Sequence, residues 1–84
     1  MTMRITDGHA AVVDRVAELW RGMLNRAEVP HDRHFAELGG DSLLLLSIIT
    51  RLEEEYGVEL DVEAVVEDLT VNGMAGVVSA AKAQ

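Results

Sequence analysis

The stretch Phe35-Ala36-Glu37-Leu38-Gly39-Gly40-Asp41-Ser42-Leu43-Leu44-Leu45-Leu46-Ser47-Ile48-Ile49-Thr50-Arg51-Leu52-Glu53-Glu54-Glu55-Tyr56-Gly57 changes character at its seventh and eighth residues. Before Asp41 the apolar residues keep no period. From Ser42 onward they follow the helical one. At about 100° per residue, Leu45, Ile48, Ile49, Leu52 and Tyr56 fall within a sector of about 100°, which marks the buried face of a helix over 42–56. Gly57 is a stop of the kind that follows a last helical turn. Leu43 and Leu46 lie roughly 160° and 100° from the centre of that sector, so two leucines are left over for the surface. Ser42 falls at the first position or the N-cap of this helix, directly after two glycines and an aspartate.

Towards the N-terminus, Val12, Val13, Val16, Leu19, Trp20, Met23 and Leu24 recur at spacings of three and four. They predict a helix over about 8–26, with Asp7 as its N-cap and Pro30 preventing any continuation. Residues 27–41 have no period and read as a long loop, anchored into the core by Phe35 and Leu38. Towards the C-terminus, Asp61 caps a short helix that turns Val62, Val65, Val66 and Leu69 inward. Thr70 caps a last helix with Val71, Met74, Ala75, Val78 and Ala81 facing inward, although Gly73 and Gly76 weaken it. The fold class is all-α: a small antiparallel-like four-helix bundle with a long loop between helices 1 and 2.

Composition narrows the function. The chain has 84 residues, one proline and no cysteine, so one compact domain, 1–84, is the ceiling. It is too small for a two-lobed enzyme with its own cofactor cleft. Seven basic residues against fifteen acidic ones, a net charge of −8, leave no footprint for nucleic acid or an anionic membrane. The longest apolar runs, such as Leu43 to Leu46, span four residues, too few to cross a bilayer. Residues 1–8 lack the apolar stretch of a secretory signal. Without cysteine there is no disulfide framework, thiolate nucleophile or cysteine metal site. The expected setting is a cytoplasmic monomer. The acidity is uneven. Residues 1–52 carry seven acids and six bases, whereas 53–68 carry eight acids and no base. That stretch is a solvated face and, compatibly, a docking surface for a basic partner.

Ser42 has a local explanation as a helix-capping residue. Three features add to it. Leu43 and Leu46 flank it as an apolar contact patch. The helix N-terminus offers free amides and partial positive charge to a phosphate, with the Asp41 charge opposing. Gly39 and Gly40 clear side chains from the approach to the hydroxyl. Nucleophilic catalysis is a poor fit, because no Gly-x-Ser-x-Gly elbow is present and a base, an orienting group and an oxyanion hole would all be needed. His31 and His34, with Asp32, form at best a weak chelate and read as solvated loop residues.

Asp32-x-x-Phe35-x-x-Leu38-Gly39-Gly40-Asp41-Ser42-Leu43 resembles the attachment motif of phosphopantetheine-dependent carrier proteins, and its Gly-Gly-Asp-Ser form is most like the peptidyl carrier (thiolation) branch. Leu52-Glu53-Glu54-Glu55-Tyr56-Gly57-Val58-Glu59-Leu60 is similar to the end of that family's second helix, and Thr70-Val71-x-x-Met74-Ala75 to the start of its last. The resemblance implies the acyl-carrier-protein type of four-helix bundle. It also implies a non-catalytic role, in which a phosphopantetheinyl transferase using coenzyme A and Mg²⁺ attaches 4′-phosphopantetheine to Ser42. The arm's thiol would then hold an aminoacyl or acyl group as a thioester. Partner enzymes, namely the transferase, an adenylation enzyme and condensation or tailoring enzymes, would contact Asp41, Leu43 and Leu46, with Val66 and Met74 nearer helix 3.

Two positions depart from the pattern. Leu69 stands where the family often has proline, and the acidity after residue 52 leans towards the fatty-acid and polyketide type. Gly40 directly before Asp-Ser favours the peptidyl type. The expectation is a discrete, stand-alone peptidyl carrier of nonribosomal-peptide-type biosynthesis. The alternatives are an acyl carrier for polyketide or fatty-acid chains, with the same chemistry and other cargo, and an unmodified helical adaptor.

Overall fold

A computed structural model describes residues 8–83. Four α-helices follow one another: α1 (Gly8–Leu24), α2 (Ser42–Tyr56), α3 (Val62–Glu67) and α4 (Val71–Lys82). A short 3-10 turn, Phe35–Leu38, interrupts the long loop before α2. No strand occurs among the described residues. The expected Asp7 cap lies outside them.

α1 is the keel of the bundle, packed against α4 and α2, while α3 leans on α4. The core takes Val12, Val16 and Trp20 from α1, Ile48, Ile49 and Leu52 from α2, Val65 from α3, and Val71, Met74, Ala75 and Val78 from α4. Each large side chain buried here is worth roughly 1.5–3 kcal/mol of transfer free energy. Trp20 stands at the centre. Its ring meets Phe35 edge-on, centroids 4.8 Å apart at 70°. Its Nε1–H donates to the Met74 sulfur at 3.3 Å.

α2 runs over the residues its pattern predicts. Ile48, Ile49 and Leu52 are buried and Leu45 and Tyr56 half-buried. Gly57 ends the helix at φ 66°, its amide donating to the Glu53 carbonyl. Around that end the Glu53 carboxylate accepts from the Leu60 amide at 2.8 Å, and the Arg15 guanidinium grips the Glu55 carboxylate from α1.

Elsewhere the structure corrects the sequence reading. α1 stops at Leu24 rather than 26, because Asn25 adopts the left-handed conformation at φ 57° and the Arg26 amide turns back to the Arg21 carbonyl at 3.0 Å. Asparagine is the residue that most readily replaces glycine at such a stop. α3 is only six residues long and buries Val65 alone, leaving Val62 and Val66 exposed. A helix of under two turns has one face to give. α4 is continuous through Gly73 and Gly76, with Thr70 and Asp61 capping α4 and α3 as expected.

Candidate functional site: the start of α2

The loop that delivers the chain to Ser42 is pinned along its length. The Asn72 amide donates to the His31 carbonyl at 3.1 Å, and the Phe35 amide to the Leu69 carbonyl at 2.8 Å. The first ties the loop to the opening turn of α4, the second to the link between α3 and α4. His34 is not idle: its Nδ1 accepts from the Ala36 amide and caps the 3-10 turn. Arg33 pairs with Glu37 at 3.2 Å and holds that carboxyl below its usual range. Phe35 and Leu38 go into the core, as predicted.

The two glycines then have separate causes. Gly39 closes the 3-10 turn at φ 97°, a conformation that costs any other residue heavily. Gly40 packs against the Phe35 ring, and a β-carbon there would clash with ring atoms Cδ2, Cε2 and Cζ, all three closer than van der Waals contact allows. The pair therefore also reflects backbone shape at Gly39 and packing at Gly40.

Asp41, with extended backbone, is the N-cap. Its carboxylate accepts from the Leu44 amide at 2.9 Å, and its carbonyl accepts the first helical bond, from Leu45. That leaves Ser42 as the first residue inside the helix, with its own amide and that of Leu43 beyond the reach of any helical carbonyl. Ser42 is exposed. Leu43 and Leu46 beside it are 75% and 54% exposed, and Leu46 faces a shallow groove shared with Met23 of α1, Ser47, Thr50, Arg51 and Glu54. Val66 on α3 is 52% exposed.

Met74 is a correction. Named among partner contacts, it has no exposed surface, lying wholly within the core under Trp20. Its alternative assignment to the inward face of α4 is the one the packing supports. Of the histidines, His9 Nδ1 is bonded to Ser79 at 2.8 Å and His34 to backbone. Among the described residues no group of three or more histidines and carboxylates is placed to share a metal ion. No helix among them is long and apolar enough to cross a membrane.

The family model described as a phosphopantetheine attachment site matches residues 14–78. The chain belongs to the phosphopantetheine-binding carrier-protein family. This carrier is 34% identical to phosphinothricin tripeptide synthetase PhsC of Streptomyces viridochromogenes over 87% of its own length, and spans 7% of that synthetase. Its fold matches that of BlmI, a type-II acyl carrier protein of Streptomyces verticillus involved in bleomycin biosynthesis. The TM-score is 0.79 and the identity 35%, over 86% of this carrier and 87% of BlmI. It also matches the peptidyl carrier protein solved in complex with the phosphopantetheine transferase Sfp and coenzyme A. There the TM-score is 0.76 and the identity 25%, over 82% and 90% of the two chains.

The prosthetic group of this carrier is covalent 4′-phosphopantetheine from coenzyme A. The start of α2 fits such a group. It offers an exposed hydroxyl on a rigid helix end, with two amides available to a phosphodiester. Thr70 and Ser79 are partly buried and engaged in a cap and a side-chain bond.

Proposed function

We propose that 4′-phosphopantetheine is attached to Ser42 and that the arm carries an aminoacyl group as a thioester between enzymes of nonribosomal-peptide-type biosynthesis. The observation that supports this most directly is Ser42 itself, exposed at the first position of α2 behind an aspartate that has already taken the cap. The chain's own residues present the hydroxyl, hold it on a capped helix start, and set amides around the site of the phosphodiester. The arm supplies the thiol that this cysteine-free chain lacks.

A phosphopantetheinyl transferase is the first partner. An adenylation enzyme and then condensation or tailoring enzymes follow. They would meet Asp41, Leu43, Leu46 and Val66. Leu43, Leu46 and Val66 are exposed apolar side chains and Asp41 an exposed acid, a contact set suited to partners that must bind in turn and leave.

Incubation with an Sfp-type transferase, coenzyme A and Mg²⁺, followed by intact-mass measurement, tests the reading. Wild type gains one phosphopantetheine and Ser42→Ala gains none. A folded wild type that stays unmodified would overturn it and leave the unmodified adaptor in its place. The acidic run over 53–68 favours a second reading of the cargo alone, a polyketide- or fatty-acid-type acyl chain. Loading by adenylation enzymes with amino acids, set against loading from acyl-coenzyme A, separates the two.

A further inference from the structure

Phe35 sits where the core meets the serine loop, and every side of it is held. Its ring is 2% exposed and stands against Trp20, which is fixed in turn through Nε1 to Met74. Its amide is bonded to the Leu69 carbonyl at 2.8 Å, and its carbonyl accepts from the Gly40 amide at 3.0 Å. Gly40 packs against the ring so closely that an added β-carbon would clash with three ring atoms. The loop is thus drawn down onto the ring two residues before the serine. A ring walled in by tryptophan cannot step aside as a flexible side chain would, so any added atom at position 40 must lift the loop.

We infer that Phe35 is a positioning residue for the modification of Ser42: its ring is the floor on which Gly40 sets the height and direction of the first turn of α2. The inference rests on the reading of Ser42 as the attachment site. Phe35 itself never meets the incoming group. It acts through Gly40 and Asp41, which follow each other directly into the helix. In that modification the Ser42 oxygen bonds the phosphorus that bears the pantetheine, the pyrophosphate bond of coenzyme A breaks, and adenosine 3′,5′-bisphosphate and the hydroxyl proton leave. Such a displacement demands close alignment, and a misplacement of about 1 Å costs on the order of a hundredfold in rate.

The test is the kcat and KM of phosphopantetheine transfer from coenzyme A by an Sfp-type transferase on four variants, with thermal melts alongside. Gly40→Ala is expected to lower kcat/KM at least tenfold. Phe35→Leu, which removes part of the floor, also slows transfer. The double variant Phe35→Leu/Gly40→Ala is expected to regain at least threefold over Phe35→Leu, because the added methyl fills space that the ring has vacated. Val78→Ala loosens the core from α4 and is expected to stay within twofold of wild type. The inference is overturned if Gly40→Ala is modified as fast as wild type, if the double variant shows no recovery, or if Val78→Ala loses as much rate for the same loss of melting temperature. Should Gly40→Ala not fold, the comparison of Phe35→Leu with the double variant still decides. A wild type that is not modified at all defeats the attachment reading instead, so the two failures are distinct.

Discussion

At the start of α2, Ser42, Leu43 and Leu46 face solvent, whereas Ile48, Ile49 and Leu52, one to two turns on, have lost nearly all of theirs. The two halves are also secured differently. The far half is held sideways, by Arg15 on Glu55, by Glu53 on the Leu60 amide and by the turn at Gly57. The near half is held from behind and beneath, by the Asp41 cap and by Gly40 on Phe35. A surface can therefore be left bare without being left loose. Of the contacts that fix the serine end, Gly40 on the Phe35 ring lies beneath it and the Asp41 cap is exposed, and neither covers Ser42, Leu43 or Leu46.

Substitutions along α2 can break that contrast. Leu52→Ala in the far half should cost the most, about 2–5 kcal/mol, since it removes a fully buried side chain and leaves a cavity. The check is a urea titration with an unchanged m-value. A loss under about 1 kcal/mol would mean that the far half is not the anchor of the helix.

Asp41→Ala should cost about 1 kcal/mol by removing the cap on the Leu44 amide, while Asp41→Asn keeps the cap and loses only the charge. If the asparagine variant melts like wild type but its KM for transferase rises, Asp41 serves partners as well as the helix.

Glu55→Gln should cost at most about 1 kcal/mol at neutral pH, a partly exposed ion pair being worth no more. The Arg15 guanidinium holds the Glu55 carboxyl below its ordinary range in the folded chain. The pair's contribution is therefore present above the unfolded-state value of about 4.3 and fades as pH falls through the lower folded-state value. Wild type and Glu55→Gln should differ in melting temperature at pH 7 and converge in acid.

Leu46→Ser should be the mildest, within about 0.5 kcal/mol of wild type, because the side chain is already largely in water. Its effect should appear in a severalfold higher KM for the transferase. A large loss of stability there would erase the contrast between the halves.

Much of this was legible before any coordinates, because it depends on local chemistry. Asp61 and Thr70 as caps, Gly57 as a stop, the inward sector of α2 and the surplus of Leu43 and Leu46 all follow from residue type and spacing. What escaped lay outside the spacing of apolar residues. Asn25 ends α1 through a backbone conformation that period-counting does not detect. Met74 is buried, as the inward face of the last helix implies, so only its reading as a partner contact fails, and Val62 and Val66 are exposed because α3 is too short to turn more than one face inward. The glycine pair stands out in the sequence, but the packing reason for its second member does not. Gly40 is dictated by a ring five residues earlier that folds beneath it, and no rule of helix or turn composition carries that information. At the site, Ser42 and its exposed neighbours stood out in the sequence, and the support under them did not.

Trp20 is the chain's sole indole, and it rests between the Phe35 ring and the Met74 sulfur. Its emission is thus an unlabelled optical gauge of the ground beneath the serine. Changes there as transferase or cargo engages the far side of the loop can be followed in real time, without attaching a dye to a protein whose working surface is small.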